Sequence, residues 1–164
     1  MTAPIAIEPF KQSDLQAVVD LSLRAWDPVF PLMEKETPSY VYGAFYPDGW
    51  RVRQAADISA MCQDKDVSVW LARAGGDLAG FAALRVHEED SMGEVYAIAV
   101  EPAFQRRGVG AKLLDFAMQR MRERGLSMAM IETGSDAGHA PARAAYEDAG
   151  FELLPVARYF KKLK

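Results

Sequence analysis

Residues Glu94–Arg124 constrain the fold more than any other part of the chain, because two hydrophobic periods meet there across a pair of glycines. Val95 Tyr96 Ala97 Ile98 Ala99 Val100 has the length of one strand and lacks polar alternation, which predicts a strand buried on both faces. Glu101 Pro102 ends it. After Ala103 and Phe104 comes Gln105 Arg106 Arg107 Gly108 Val109 Gly110, and from there small or apolar residues recur at Gly110, Leu113, Leu114, Ala117, Met118 and Met121. That spacing is one face of an α-helix. Lys112, Asp115, Gln119, Arg120, Arg122 and Glu123 take the other face, and Gly125 stands where a left-handed C-terminal cap belongs. The unit is a strand, a glycine-rich turn and an amphipathic helix.

A turn of this kind suits an anion. The first N–H groups of a helix lack partners within it, and the helix dipole places partial positive charge at the same end. Gly108 and Gly110 let a phosphate approach the backbone, while Arg106 and Arg107 add donors and charge. A helix that merely starts on glycines after a basic surface loop has the same spacing. Two phosphate loops are excluded by their own patterns. GxxxxGK followed by Ser or Thr is absent, because Lys112 is followed by Leu113, and G-x-G-x-x-G would need a glycine at Leu113.

Gln105, Gly108 and Gly110 do match Q/R-x-x-G-x-G/A, and with Ile98 Ala99 Val100 before them the stretch resembles the acetyl-CoA-binding motif of the GNAT superfamily of N-acetyltransferases. A second segment agrees. Leu126–Ile131 reads as another strand, and His139–Phe151 as a short helix with Pro141 in its first turn and Gly150 at its end, leading into a final strand. This second segment resembles the family's N-x-x-A-x-x-F/L-Y-E-x-x-G-F, with Tyr146, Glu147, Gly150 and Phe151 in register and His139 where Asn is usual. The resemblance covers about Glu94–Phe151. It implies an α/β fold with a mixed, mostly antiparallel central sheet, helices on both faces and a cofactor cleft between two diverging parallel strands. It implies acetyl-CoA as cosubstrate, bound by Ile98, Ala99, Val100, Gln105, Arg106, Arg107, Gly108, Val109, Gly110 and His139.

The remaining chain fits such a fold in its order of elements. Ile5 and Ile7 suggest a short first strand, and Ser13 with Gln16 an N-cap for a helix through Leu15, Val18, Val19, Leu23 and Trp26, stopped by Pro28 and Pro31. Asp27–Trp50 reads as irregular and aromatic, carrying Phe30, Tyr40, Tyr42, Phe45, Tyr46 and Trp50 beside Asp27, Glu34, Glu36 and Asp48. The resemblance implies that this segment walls the acceptor site, where aromatics with carboxylates would suit a cationic amine; packing between helices and sheet is the alternative. A second helix is expected over Asp48–Cys62, then strands at Val67–Ala74 and Leu78–His87 joined by a tight turn at Gly75 Gly76 Asp77. His87 reads as a strand-end surface residue.

With 164 residues, one domain over 1–164 is expected. The net charge of −4 provides no electrostatic footprint for nucleic acid, and no apolar run reaches the 18 residues of a membrane span. Cys62 is a lone cysteine at helical spacing from Ile58, which predicts a structural thiol and a reducing, cytoplasmic setting; Met1–Ala6 shows no leader pattern. His87 and His139 keep no metal-like spacing with other donors, so no bound metal is expected.

The resemblance implies roles. Glu94 stands where many family members carry a general base, Tyr96 lies two residues on along the same strand face, and Tyr146 stands where the family places a tyrosine beside the thioester sulfur. A strand-end surface carboxylate and a core tyrosine are the structural alternatives. The expected partner is a small-molecule or peptide amine, with no nucleic acid and no membrane, and a homodimer is left open. The rivals are a non-catalytic acyl-CoA sensor and an acetyltransferase for a protein lysine or N-terminus.

Overall fold

The computed structural model describes Pro4–Lys164; Met1–Ala3, part of the leader expectation, lie outside the described residues. Five strands form one sheet in the order β1 (Ile5–Pro9), β2 (Val67–Ala74), β3 (Asp77–His87), β4 (Met92–Val100) and β5 (Met128–Ile131). The first three pairings are antiparallel and the last, β4 with β5, is parallel. The β2–β3 turn carries Gly75 and Gly76 at φ 62° and 96°, the left-handed pair a tight hairpin requires. A parallel β4–β5 pair needs a crossover, and α5 (Val109–Glu123) supplies it.

Helices cover both faces. On one, α1 (Leu15–Trp26) and α4 (Trp50–Gln63) bury Val18, Leu21, Ile58 and Met61 against Val69, Leu71, Phe81, Ala83 and Ala99. On the other, α5 buries Val109, Leu113, Leu114, Ala117 and Met121 against Ala82, Leu84 and Val95. Leu113, Leu114, Ala117 and Met121 are positions its sequence spacing selects, while Val109 is not. α6 (Ala140–Asp148) packs on the same side through Tyr146, which with Phe151 joins Ala129 and Ile131. Gly125 and Gly150 close α5 and α6 at φ 73° and 89°, as capping predicts.

The segment expected to be irregular is not. It holds two short helices, α2 (Phe30–Glu36) and α3 (Ser39–Phe45). Pro31 does not stop a helix; it lies in the first turn of α2, where a missing N–H has no consequence and a fixed φ is favourable. Phe30 is the pivot, stacked on Trp50 at 4.2 Å and edge-on to Tyr46 at 5.4 Å. The Ser13 cap is also replaced: a 3-10 turn at Gln12–Asp14 precedes α1, and the Lys11 N–H donates to Asp14 Oδ2 at 3.0 Å.

A second correction concerns the final strand. Phe151–Lys164 forms no strand, and Leu153, Leu154, Val156, Tyr159 and Leu163 are exposed. Pro155 removes a ladder donor from this segment, and Phe160 packs edge-on against Phe45 of α3 at 5.9 Å, away from β5. The outer edge of β5 thus has no strand partner among the described residues.

Candidate active site

The split between β4 and β5 defines the site. Their ladder covers only Met92–Val95 opposite Met128–Ile131, while β4 runs on to Val100. Beyond Val95 the β5-facing edge of β4 carries backbone groups with no strand partner. A bulge marks the same point: Ala83 pairs with Ala97 but Leu84 with Val95, so Tyr96 is the extra residue. Tyr96 is 45% exposed, so the strand is not buried on both faces as its composition predicts. Its β5-side neighbour has departed there.

Beside the end of β4 stands the start of α5. Gly108 occupies the N-cap position at φ 83° and no side chain caps the helix, so the first amides of α5, beginning at Val109, project without helical partners. Gln105–Gly108 is exposed, Arg106 is held at a left-handed φ of 61°, and Gln105 Nε2 donates to the Val100 carbonyl at 3.2 Å. A non-glycine residue in that conformation stores about 1–3 kcal/mol of strain, of the kind that collects at ligand clamps. The Arg107 guanidinium lies 5.7 Å from the Phe104 ring centroid. Glu101 is fixed by Arg24 at 2.8 Å, which ties the turn to α1. Three unpaired amides, a helix dipole and two arginines suit a diphosphate, and the open edge of Ile98–Val100 suits an extended amide-bearing chain.

The two acid–base candidates lie on opposite sides of this gap. Val95 faces α5, so its neighbours Glu94 and Tyr96 face α4. Glu94 is not an exposed strand-end carboxylate: its side chain is 15% exposed and its Oε2 lies 2.7 Å from His87 Nε2. His87, expected to be a strand-end surface residue, is its partner. Tyr146 sits on the α5 side, half-buried against Phe151 at 6.3 Å, and burial pushes its hydroxyl up to about 12.

His139 belongs to a second carboxylate pair that the sequence did not reveal, although its Asp-x-x-His spacing could have suggested it. Its Nδ1 lies 2.7 Å from Oδ2 of the buried Asp136. Burial alone would raise the Asp136 carboxyl, but the hydrogen bond and charge of His139, with backbone N–H groups, hold it below the usual range. Arg143 clamps the loop by donating to the carbonyls of Gly134 and Asp136 at 2.6 and 2.8 Å. A Cβ on Gly134 would clash with Asp136 Oδ2. The second ring nitrogen of His139, Nε2, takes no part in this pair. Among the described residues, no group of three or more His, Cys, Asp or Glu side chains is arranged to hold a metal, and no helix is long and apolar enough to cross a membrane.

Comparison with known proteins agrees with this architecture. The acetyltransferase (GNAT) family model matches residues 26–151, and the chain belongs to that family. It is 38% identical over 82 residues to a mycothiol acetyltransferase of Streptomyces bingchenggensis, a match spanning 50% of this chain and 26% of that protein. It is 34% identical over 96 residues to the uncharacterized N-acetyltransferase YsnE of Bacillus subtilis, covering 57% of this chain and 62% of that one. The chain therefore spans about a quarter of the first of these relatives. In fold it is similar to the ribosomal-protein-S18-alanine N-acetyltransferase of Escherichia coli, with a TM-score of 0.69, 22% identity and coverage of 98% and 86%. It is likewise similar to the PaiA N-acetyltransferase of Thermoplasma acidophilum in complex with coenzyme A, with a TM-score of 0.69, 16% identity and coverage of 94% and 93%.

Proposed function

We propose that this chain, as one domain over residues 1–164, transfers an acetyl group from acetyl-CoA to the nitrogen of a small-molecule or peptide amine. The observation that carries this reading is the opening of the β4–β5 ladder beside the uncapped start of α5. The backbone from Gln105 to Gly110 would hold the pyrophosphate, and Ile98, Ala99 and Val100 would pair with the pantetheine arm as an added strand. The cosubstrate supplies an activated acyl group, so the amine can attack directly without an acyl-enzyme.

A primary amine with a pKa near 10.4 is almost wholly protonated at neutral pH, and exposing its lone pair costs about 4–5 kcal/mol. Glu94 is the proton acceptor in this reading. It stands four positions before Ile98, about 13 Å along a strand, beyond the reach of a glutamate side chain. The proton therefore passes through water, with His87 holding one carboxylate oxygen in place. The backbone N–H groups near Ile98 meet the negative charge that develops on the acyl oxygen. Tyr146 serves the sulfur side. With its hydroxyl near 12 against about 8.5 for a thiol, complete proton transfer would be uphill by roughly 5 kcal/mol. Tyr146 thus stabilises the departing thiolate by a hydrogen bond, and solvent completes its protonation.

The test is isothermal calorimetry with acetyl-CoA, followed by thiol release across polyamines, aminoglycosides, amino acids and short peptides. Binding with turnover supports the transferase. Binding without turnover on any amine would make the chain a sensor, and turnover only on intact protein would make it a protein acetyltransferase.

A further inference from the structure

The face of the sheet that carries Glu94 holds an open cavity of about 510 Å³, within the usual range for a small-molecule site. Trp26, Arg53, Asp57, Asp64, Arg85 and Tyr96 line it. Its charge pattern is unlike that of a receptor for a polycation. Two guanidinium groups oppose two carboxylates, and both arginines are held in place. Arg85 donates through Nη2 to Asp64 at 2.9 Å, and its Cζ lies 4.2 Å from the Tyr96 ring centroid. Arg53 donates to the Phe45 carbonyl at 2.9 Å and reaches Asp57 at 3.4 Å.

A guanidinium has five N–H donors in a planar fork, and among the described residues Arg85 commits only Nη2 to a protein acceptor. Arg85 is also register-paired across the ladder with Glu94. Side chains directly opposite in an antiparallel pair are neighbours, so a fixed cation with unused donors stands beside the proposed proton acceptor. Tyr96, the bulged residue, connects this cation to the gap between β4 and β5.

We infer that the acceptor is a small dipolar amine, an amino acid or its close derivative, whose carboxylate docks on Arg85 while its ammonium lies toward Glu94 and the gap. This rests on the acetyl-CoA-dependent transfer proposed above. One ammonium proton first leaves through water toward Glu94, the freed amine nitrogen bonds to the acyl carbon, the C–S bond breaks, the nitrogen's second proton passes to solvent, and the CoA sulfur takes a proton from solvent. A polyamine or aminoglycoside would place additional cations beside Arg53 and Arg85 with no surplus of carboxylates to receive them.

The experiment compares matched pairs, each amino acid against the amine left by its decarboxylation, by kcat/KM from thiol release. The expected ratio favours the carboxylate-bearing partner by about 10- to 100-fold, the discrimination given by one charge-assisted forked contact. Arg85→Gln should bring that ratio to about one, and Arg85→Lys should restore part of it, with acetyl-CoA affinity by calorimetry near wild type in both as the check on folding. Equal or better turnover of the decarboxylated amines would overturn the inference and leave the transferase standing, as would a ratio unchanged in Arg85→Gln. Loss of acetyl-CoA binding in the wild-type chain would overturn both.

Discussion

Gly108 offers a separation of backbone strain from charge at the proposed pyrophosphate site. Its φ is 83° and a Cβ built there meets nothing within 4 Å, so alanine introduces only the cost of a left-handed L residue, about 1–2 kcal/mol. Glutamate adds to the same strain a negative charge beside the uncapped amides of α5. A carboxylate about 6 Å from a doubly charged pyrophosphate is repelled by about 1.4 kcal/mol at the dielectric of water and about 5.5 at an effective value of 20. Gly108 is exposed, which favours the lower end. Gly108→Glu should therefore weaken acetyl-CoA binding at least tenfold relative to Gly108→Ala, and the difference should shrink as salt is added. Calorimetry measures the affinities, and urea unfolding should show both variants destabilised by the same amount. If Glu and Ala variants bind acetyl-CoA equally well at low salt, the helix start does not hold the phosphates and the loop assignment is wrong.

The other expectations concern single side chains. Tyr146→Phe should lower kcat by about 10²-fold with acetyl-CoA affinity nearly kept; a wild-type rate would return Tyr146 to a packing role. Glu94→Gln should reduce kcat/KM at neutral pH and regain activity as pH rises toward the amine's own pKa, because less of the acceptor then needs deprotonation; an unaltered pH profile would remove Glu94 from proton transfer. Burial pushes the Cys62 thiol up to about 11, so iodoacetamide should modify it far more slowly than a free thiol at pH 8. A raised thiol pKa favours the folded state while both states stay protonated, so that contribution is complete below about pH 9 and is lost as pH rises toward 11. Rapid labelling of the folded chain at pH 8 would contradict the burial.

Much of this architecture was legible in advance where it depends on neighbours in sequence. The helical face of α5 appears as buried Leu113, Leu114, Ala117 and Met121, and Gly125 and Gly150 close their helices at left-handed φ. Gly75 and Gly76 turn the hairpin. The match of Gln105, Gly108 and Gly110 to one phosphate-binding pattern was readable in the same way, since a helix start and its preceding loop are local. Local rules misled at Asp27–Trp50: α1 ends ahead of Pro28 as expected, but Pro31 begins a new helix, with Phe30 packed on Trp50 and Tyr46. The reading also failed after Phe151, where a final strand was expected to follow α6 and none forms.

The sequence by itself determined the element types from Trp50 to Gly150, the crossover that makes β4 and β5 parallel, and the membership of residues 26–151 in the acetyltransferase family, because periodicity, caps and motif spacing are short-range. Only the tertiary structure decided where β4 and β5 part, that Tyr96 is the bulged residue, and which partners Glu94, His139 and Arg85 find. Those depend on register between strands and on loops brought together across the sheet. A shift of one residue would turn Glu94 toward α5 and Val95 toward the cavity, and the alternation along one strand cannot specify which register its neighbour adopts.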